Sequence, residues 1–425
     1  MTDALPDTDV FAIRKRIRWV LIFSVFPAGM GLTATFAATS LAAKEMTGND
    51  ALATLAATMT AIGGAVAALP LGAHMADHGR RSGLTRAWSV GIVGAALAFI
   101  SVLTQFYPLL LLGVLCVGVG QGASLAARYA AADLAEPMHR ARDIGIVMWA
   151  SSIGSVLGPT IALGGAGWLA INILDIDELA GPYLMAILAF IIAAIVVNTK
   201  LRPDPLLLAK ELGSATDVKR PSLRKSFHDL FTHRLAAIAV LAMAVGQTVM
   251  VAVMTVTPLH MNDGDHEARI IGLVISLHVV GMYFFSPIVG WVVDRVPSTV
   301  MVAAAGATLF IGAEMASHTD PTDSLGVFIG LFFVGLGWSF AMISGASLIS
   351  AVFDVSERAS VQGAADFTMV ASGAAGGLLS GVIVQATDYH TLSHWAAILA
   401  LALIAAALYP MITRIRPSVQ AASAG

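Results

Sequence analysis

The chain has a single cysteine, Cys116, in 425 residues, so it can form no internal disulfide and cannot build a thiolate metal cluster. Charge is also scarce. Asp, Glu, Lys and Arg together make up 12% of the residues, about half the share of an ordinary soluble domain. A water-soluble enzyme, a nucleic-acid binder and a disordered chain are thereby excluded, and the formal net charge of −3 says nothing about partners. No G-x-x-x-x-G-K-[ST] loop occurs, so a pump driven by nucleotide within this chain is not expected.

What the sequence has instead is apolar residues, 57% of the total. A bilayer-spanning helix uses about 20 of them, and uninterrupted runs lie at 19–43, 51–76, 86–105, 108–133, 144–170, 182–199, 235–260, 270–293, 299–317, 325–352, 360–386 and 393–412. These twelve runs are far too long for barrel strands. Helices satisfy their own backbone polar groups in lipid, so the expected fold is an all-α membrane protein of twelve transmembrane helices. The first run is long for a signal-peptide core and is read as a retained helix.

Lys and Arg set the orientation. With the N-terminus in the cytoplasm, the inner ends carry Arg14, Lys15, Arg16 and Arg18; Arg80, Arg81 and Arg86; Arg140 and Arg142; Arg295; Arg358; Arg414 and Arg416; and the cations of the 200–234 loop, including Lys219 and Arg220. Only Lys44 and Arg269 fall outside, where Asp175, Asp177, Glu178, Asp263, Asp265, Glu267, Asp320 and Asp323 gather. Both termini are therefore expected in the cytoplasm, with the chain in the cytoplasmic (inner) membrane.

The Pro- and Lys/Arg-rich segment 200–234 reads as a linker between a six-helix half at 1–199 and a second at 235–425. A repeat supports this division. Pro70 precedes Asp77 by seven residues, as Pro287 precedes Asp294, at an offset of 217. Gly120-Gln121 matches Gly337-Trp338 at the same offset, and Arg140-Ala141 … Gly145 matches Arg358-Ala359 … Gly363 at 218. Paired six-helix repeats are the architecture of alternating-access carriers.

Three local patterns carry a family resemblance. Gly290-Trp291-Val292-Val293-Asp294-Arg295 fits a G-x-x-x-D-R core, with a diverged counterpart in Ala73 to Arg81. Asp133 is followed by Arg140, Arg142 and Gly145. Gly154-x3-Gly158-Pro159 precedes Gly164-Gly165 in the fifth run. In these features, and across all twelve runs, the chain resembles the major facilitator superfamily, most closely its drug:proton antiporters of the tetracycline-exporter type. It departs from them in the fourth run, where no Lys or Arg precedes Gln121-Gly122, and in the spacing of the second glycine pair. The resemblance implies proton-coupled antiport and an inner gate of Asp77, Arg80, Arg81, Asp133, Arg140, Arg142, Asp294, Arg295 and Arg358. Without the family, an Asp at a cytoplasmic helix end can pair with clustered Arg or with a neighbouring helix N-terminus; plain topogenic charge is the other reading. Gly154, Gly158 and Pro159 read physically as a close-packing helix surface with a bend.

Ionisable residues inside the membrane are functional candidates, because a charge left in hydrocarbon costs at least about 2.5 kcal/mol. Asp366, with Gln362 one turn before it, is either a proton carrier or a partner of Arg358. His278, with Met282 on the same face, is a proton or substrate group or a hydrogen-bonded packing residue. Arg128 reaches a cavity, snorkels to the interface or pairs with Asp133. Phe26, Trp149, Ser152, Gln247, Met282, Trp338 and Gln362 complete the set of candidate cavity residues. His260, Asp263 and His266 are weak candidates for a metal, in a spacing that matches no defined motif. No cofactor is expected. The expected partners are a small amphipathic or lipophilic substrate, protons and the bilayer, with the chain a monomer. Transport of a metal ion or chelate, proton-coupled uptake, and a non-transporting receptor are the other readings.

Overall fold

The computed structural model describes residues 7–212, 222–265 and 268–412, and every regular element among them is helical. Lys219, Arg220, His266, Glu267, Arg414 and Arg416 lie outside the described residues, as do parts of the expected linker and of the second half.

The runs become α1 (Asp7–Thr47), α2 (Asp50–Thr104), α3 (Tyr107–Ala132), α4 (Arg140–Thr160), α5 (Gly167–Asn172), α6 (Ala180–Lys200), α7 (Pro205–Leu212), α8 (Leu223–Thr232), α9 (Arg234–Asp263), α10 (Ala268–Tyr283), α11 (Ser286–Val293), α12 (Ser298–Ser317), α13 (Ser324–Val352), α14 (Val355–Ala386) and α15 (Tyr389–Ile412). Ten helical stretches among the described residues are long and apolar enough to cross a membrane. The expected second and third runs fall within one of them, as two helices that meet at a kink at Gly79 (φ 82°, ψ 172°) and together make up α2. That backbone conformation is one only glycine adopts without strain. The expected fifth run is carried by α4, a π-helical stretch at Ile161–Ala166 and α5. Two further helices, α7 and α8, occupy the expected linker.

The chain packs as two compact units. The first comprises Met1–Glu136, Ile146–Ser226 and Val355–Val370; the second comprises Pro137–Gly145, Phe227–Asp354 and Ala371–Gly425. The helix α14 thus belongs in part to each.

In the first unit, α2 and α3 pack along their lengths and α6 lies against α1 and α2. Its core holds a few large side chains (Trp88, Phe190, Met75, Leu84) among many alanines, such as Ala87, Ala95, Ala127 and Ala193. Phe11, Phe23, Phe36 and Val66 are meanwhile more than half exposed. Large apolar residues outside and small ones inside is the arrangement expected in lipid, where close backbone approach holds helices together. Gly154 and Gly158 fit this logic. A methyl on Gly154 would overlap the Phe26 carbonyl of α1, and one on Gly158 would lie 2.7 Å from the Met30 carbonyl.

In the second unit α12 packs against both α13 and α15, and α13 also carries α9 and α10. Its α13 starts at Asp323, whose carboxylate accepts from Gly326 N at 3.0 Å and so caps the helix.

Candidate functional site

The break at Gly79 decides where Arg80 points. Arg80 is 1% exposed, and it donates from Nε to Asp133 Oδ2 at 2.7 Å and from Nη2 to Asp133 Oδ1 at 3.2 Å. The same Nη2 donates to Gln362 Oε1 at 2.5 Å. Arg358 Nη1 stands 3.9 Å from Asp133 Oδ1. Asp133, not Asp77, is therefore the carboxylate that Arg80 grips, and it sits between two guanidinium groups. The two-pronged geometry is the strong form of this contact.

One turn further along α14, Asp366 accepts from Arg128 Nη2 and, at 3.2 Å, from the Tyr129 hydroxyl, both at Oδ1. Arg128 also donates to Tyr129 Oη at 3.2 Å and to the Leu125 carbonyl at 2.9 Å, and lies over the Tyr129 ring at 4.5 Å. These contacts correct two readings of the sequence. The partner of Arg128 is Asp366 rather than Asp133, and the partner of Asp366 is Arg128 rather than Arg358. The reason is register: the α3 residues Arg128 and Tyr129 face α14 at Asp366, while Asp133, one helical turn later, is level with Arg80, Arg358 and Gln362. Both pairs lie inside the first unit. Isolated charges this deep are costly, so each member is held by its partner.

The ends of the break are closed from the linker. Asp204 accepts from Arg81 N at 2.7 Å and also from Leu206 N at 3.0 Å and Leu207 N at 3.2 Å. It therefore caps both the resumed α2 and the start of α7. Lys210 donates to the carbonyl of Ala76 at 2.7 Å, on the other side of the break. The Arg81 side chain reaches the Asn198 carbonyl at 3.4 Å. Sequence reasoning missed Asp204, Lys210 and Tyr129. The first had a signal: Asp204-Pro205 is a cap residue followed by proline at the first helical position.

In the second unit, Asp294 accepts from Ala141 N at 2.8 Å and Arg142 N at 2.9 Å, at the start of α4. The approach is close because Gly290 packs against the Ala141 carbonyl and Gly145 against that of Ser286. Burial pushes the Asp294 carboxyl above its ordinary value, and the two backbone N–H groups pull it back in part. Arg295 stacks on the Trp291 ring at 4.1 Å and donates to the Trp291 carbonyl, and the Arg142 side chain is exposed.

The buried His278 donates from Nδ1 to the Leu331 carbonyl at 2.8 Å, and its Nε2 has no hydrogen-bond partner among the described residues. Met282, a turn later, is buried as well. Trp338 Nε1 donates to Gln247 Oε1 at 2.7 Å, and the Trp338 ring meets Tyr283 edge-on at 5.3 Å. In the first unit Phe26 and Trp149 are half-buried, and Ser152 donates to the Trp149 carbonyl at 2.6 Å.

His260 stacks on Tyr389 at 4.0 Å and pairs through Nε2 with the Thr319 carbonyl at 3.2 Å. It is packed among these groups, and the described residues contain no cluster of three or more ligands suited to a metal ion. Asp263 lies in α9.

Helices with large apolar residues outside and two ion pairs buried within spans of this length are the build of a membrane carrier. The chain belongs to the Major Facilitator Superfamily, whose family model matches residues 21–266 and 252–425. It is 36% identical over 397 residues to the uncharacterized MFS-type transporter YdeG of Bacillus subtilis, covering 92% of this chain and 91% of that one. It is 25% identical over 389 residues to the riboflavin transporter RfnT of Brucella anthropi, covering 90% and 92%. Among solved structures, the human organic anion transporter MFSD10 superposes with a TM-score of 0.71 over 93% of this chain and 99% of that one, at 14% identity, a likeness of fold alone. The protein is a multi-pass secondary transporter of a small molecule, and not an enzyme.

Proposed function

We propose that the protein exports a small amphipathic or lipophilic compound in exchange for protons, by alternating access, with Asp366 as the proton-binding group. The observation that carries this reading is the Arg128–Tyr129–Asp366 triad, a titratable carboxylate buried within spanning helices. Protonating Asp366 removes the charge that holds Arg128. Breaking a buried pair from one side costs about 3–5 kcal/mol, enough to release residues 355–370 of α14 from α2 and α3. The Arg80–Asp133–Gln362 cluster acts on the same segment and serves as its latch, with Asp77, Arg81, Arg140, Arg142, Asp294, Arg295 and Arg358 completing the inner gate. His278, whose Nε2 lacks a partner, is the second titratable candidate.

The scarcity of charged residues, 12% of the chain, favours an apolar cargo over sugars and polyanions, and Gln247, Trp338 and Met282 supply one amide, one indole and a thioether to meet it. The Lys/Arg distribution supports placement in the cytoplasmic membrane with both termini inside, and the internal repeat supports twelve crossings in halves at 1–199 and 235–425. The chain acts as a monomer in this reading.

The test uses full-length protein in liposomes that enclose a pH-sensitive dye. Riboflavin, the compound named for the relative RfnT, and a panel of lipophilic cations and neutral amphiphiles are added across an imposed pH gradient. At least one compound is expected to drive proton movement in the wild type, and Asp366→Asn should slow it at least about tenfold, the effect of about 1.4 kcal/mol. Equal proton movement in the two proteins would overturn the assignment.

A further inference from the structure

Both donors to the Asp366 carboxylate, Arg128 Nη2 and Tyr129 Oη, meet Oδ1. Among the described residues no protein group donates to Oδ2. This oxygen is not among the fully enclosed side-chain atoms that lack a partner, so it has accessible space beside it. There a cavity of about 20 Å³ is lined by the polar side chains of Arg80, Tyr129, Gln362 and Asp366, and closed by small residues that include Gly64 and Gly122. One water needs about 10–15 Å³ and two to four polar partners. The cavity has room for one such molecule, and an organic substrate would not fit.

We propose that this cavity binds a single water molecule, which donates to Asp366 Oδ2 and links the Arg128–Asp366 pair to the Arg80–Asp133–Gln362 cluster. On the reading of Asp366 as the proton-binding group, this water is also its last relay. It passes a proton to Oδ2 as it takes one from a hydronium ion in the solvent on its far side, so one positive charge reaches the carboxylate, the hydronium becomes water and the relay water is regenerated. Delivery at Oδ2 leaves the two donors on Oδ1 in place until the carboxylate is neutral. Arg80 and Asp366, which share no direct hydrogen bond, then act on α14 as one unit.

Gly122 offers a clean probe. A Cβ there would lie 3.7 Å from the Gly64 carbonyl oxygen and 3.8 Å from Ala67 Cβ and Leu71 Cδ2, ordinary contact distances, with Gly64 and Leu71 themselves lining the cavity. Gly72 and Gly363 are unsuitable, because a methyl on them would press on the backbone of Ala359 and Ala68 at 2.8 and 2.7 Å. The experiment is difference infrared spectroscopy of the full-length protein, with and without isotope-labelled water, combined with a pH jump followed through the Asp366 carboxyl band. No substrate is needed. Wild type should show an isolated, isotope-sensitive water band. Gly122→Ala should lose it and take up the Asp366 proton at least about tenfold more slowly, while Gly122→Ser, which brings its own hydroxyl, should recover most of the rate. A wild type without that band, or a Gly122→Ala protein that protonates Asp366 at the wild-type rate, would overturn the inference. If the band and the slow variant are both found and liposomes show no compound-driven proton movement, the water site stands and the exchange reading fails.

Discussion

Asp204 and Arg81 are joined by a 2.7 Å hydrogen bond from the Arg81 backbone N–H to the Asp204 carboxylate, across 123 residues of chain. Because the same carboxylate caps α7, the linker and the bend in α2 share one anchor, and that bend aims Arg80 at Asp133.

Removing the anchor should loosen both helix starts. Each cap is worth about 1 kcal/mol, so Asp204→Ala is expected to destabilise the protein by about 2 kcal/mol and Asp204→Asn by less. Thermal unfolding in detergent, followed by tryptophan fluorescence, checks the order: wild type, then Asn, then Ala.

The Arg80–Asp133 pair should be strongly coupled. Arg80→Met or Asp133→Leu alone leaves a buried charge without its partner and is expected to cost about 3–5 kcal/mol, while the double replacement recovers much of it. A double-mutant cycle on unfolding free energies measures the coupling, and additive single effects would contradict the latch.

Close packing of α4 on α1 predicts a graded response at Gly154. Because a methyl there overlaps the Phe26 carbonyl, Gly154→Ala should already lower the yield of monodisperse protein, and Gly154→Val should abolish it. Size-exclusion chromatography of a fluorescent fusion is the measurement.

Asp294 makes a pH prediction. Burial raises its folded carboxyl above the unfolded value near 3.8. The stability it contributes is therefore full below that value and falls away as pH rises through the higher folded one. Asp294→Asn has no such term. The difference in Tm between wild type and Asp294→Asn should thus shift against the wild type as pH is raised from below 4 (about the unfolded carboxylate range) toward neutrality, then level off.

The indole–amide bond between Trp338 and Gln247 should bear on what is carried. Trp338→Phe keeps a ring but loses the donor, and a bond of this kind is worth about 1 kcal/mol. A change of about fivefold in the apparent affinity of a transported compound is expected in the liposome assay, with proton movement at saturation preserved.

The membrane class was legible because lipid imposes helices on any long apolar run, and Lys/Arg placement suggested a direction for each. The runs 51–76 and 86–105 are the two helices on either side of the kink at Gly79; the kink itself was not legible, because nothing in hydropathy marks a glycine at positive φ. The candidate ionic residues were nearly all visible as charges in improbable places. Their partners were not, because Arg128 with Asp366 and Arg80 with Asp133 depend on the rotational register of α3 against α14 and α2, and hydropathy carries no record of it. Tyr129 was overlooked for a related reason, since a phenol beside an Arg in an alanine-rich helix looks like packing until the carboxylate it serves is seen.

The helix α14 runs unbroken for 32 residues, with Val355–Val370 in one compact unit and the rest in the other. A continuous helix of this length carries a tilt or rotation of one part along its own axis. A spin label or fluorophore at Leu378 or Val382, both more than half exposed and distant in sequence from every ionic contact, would then follow the protonation of Asp366 in real time without disturbing it.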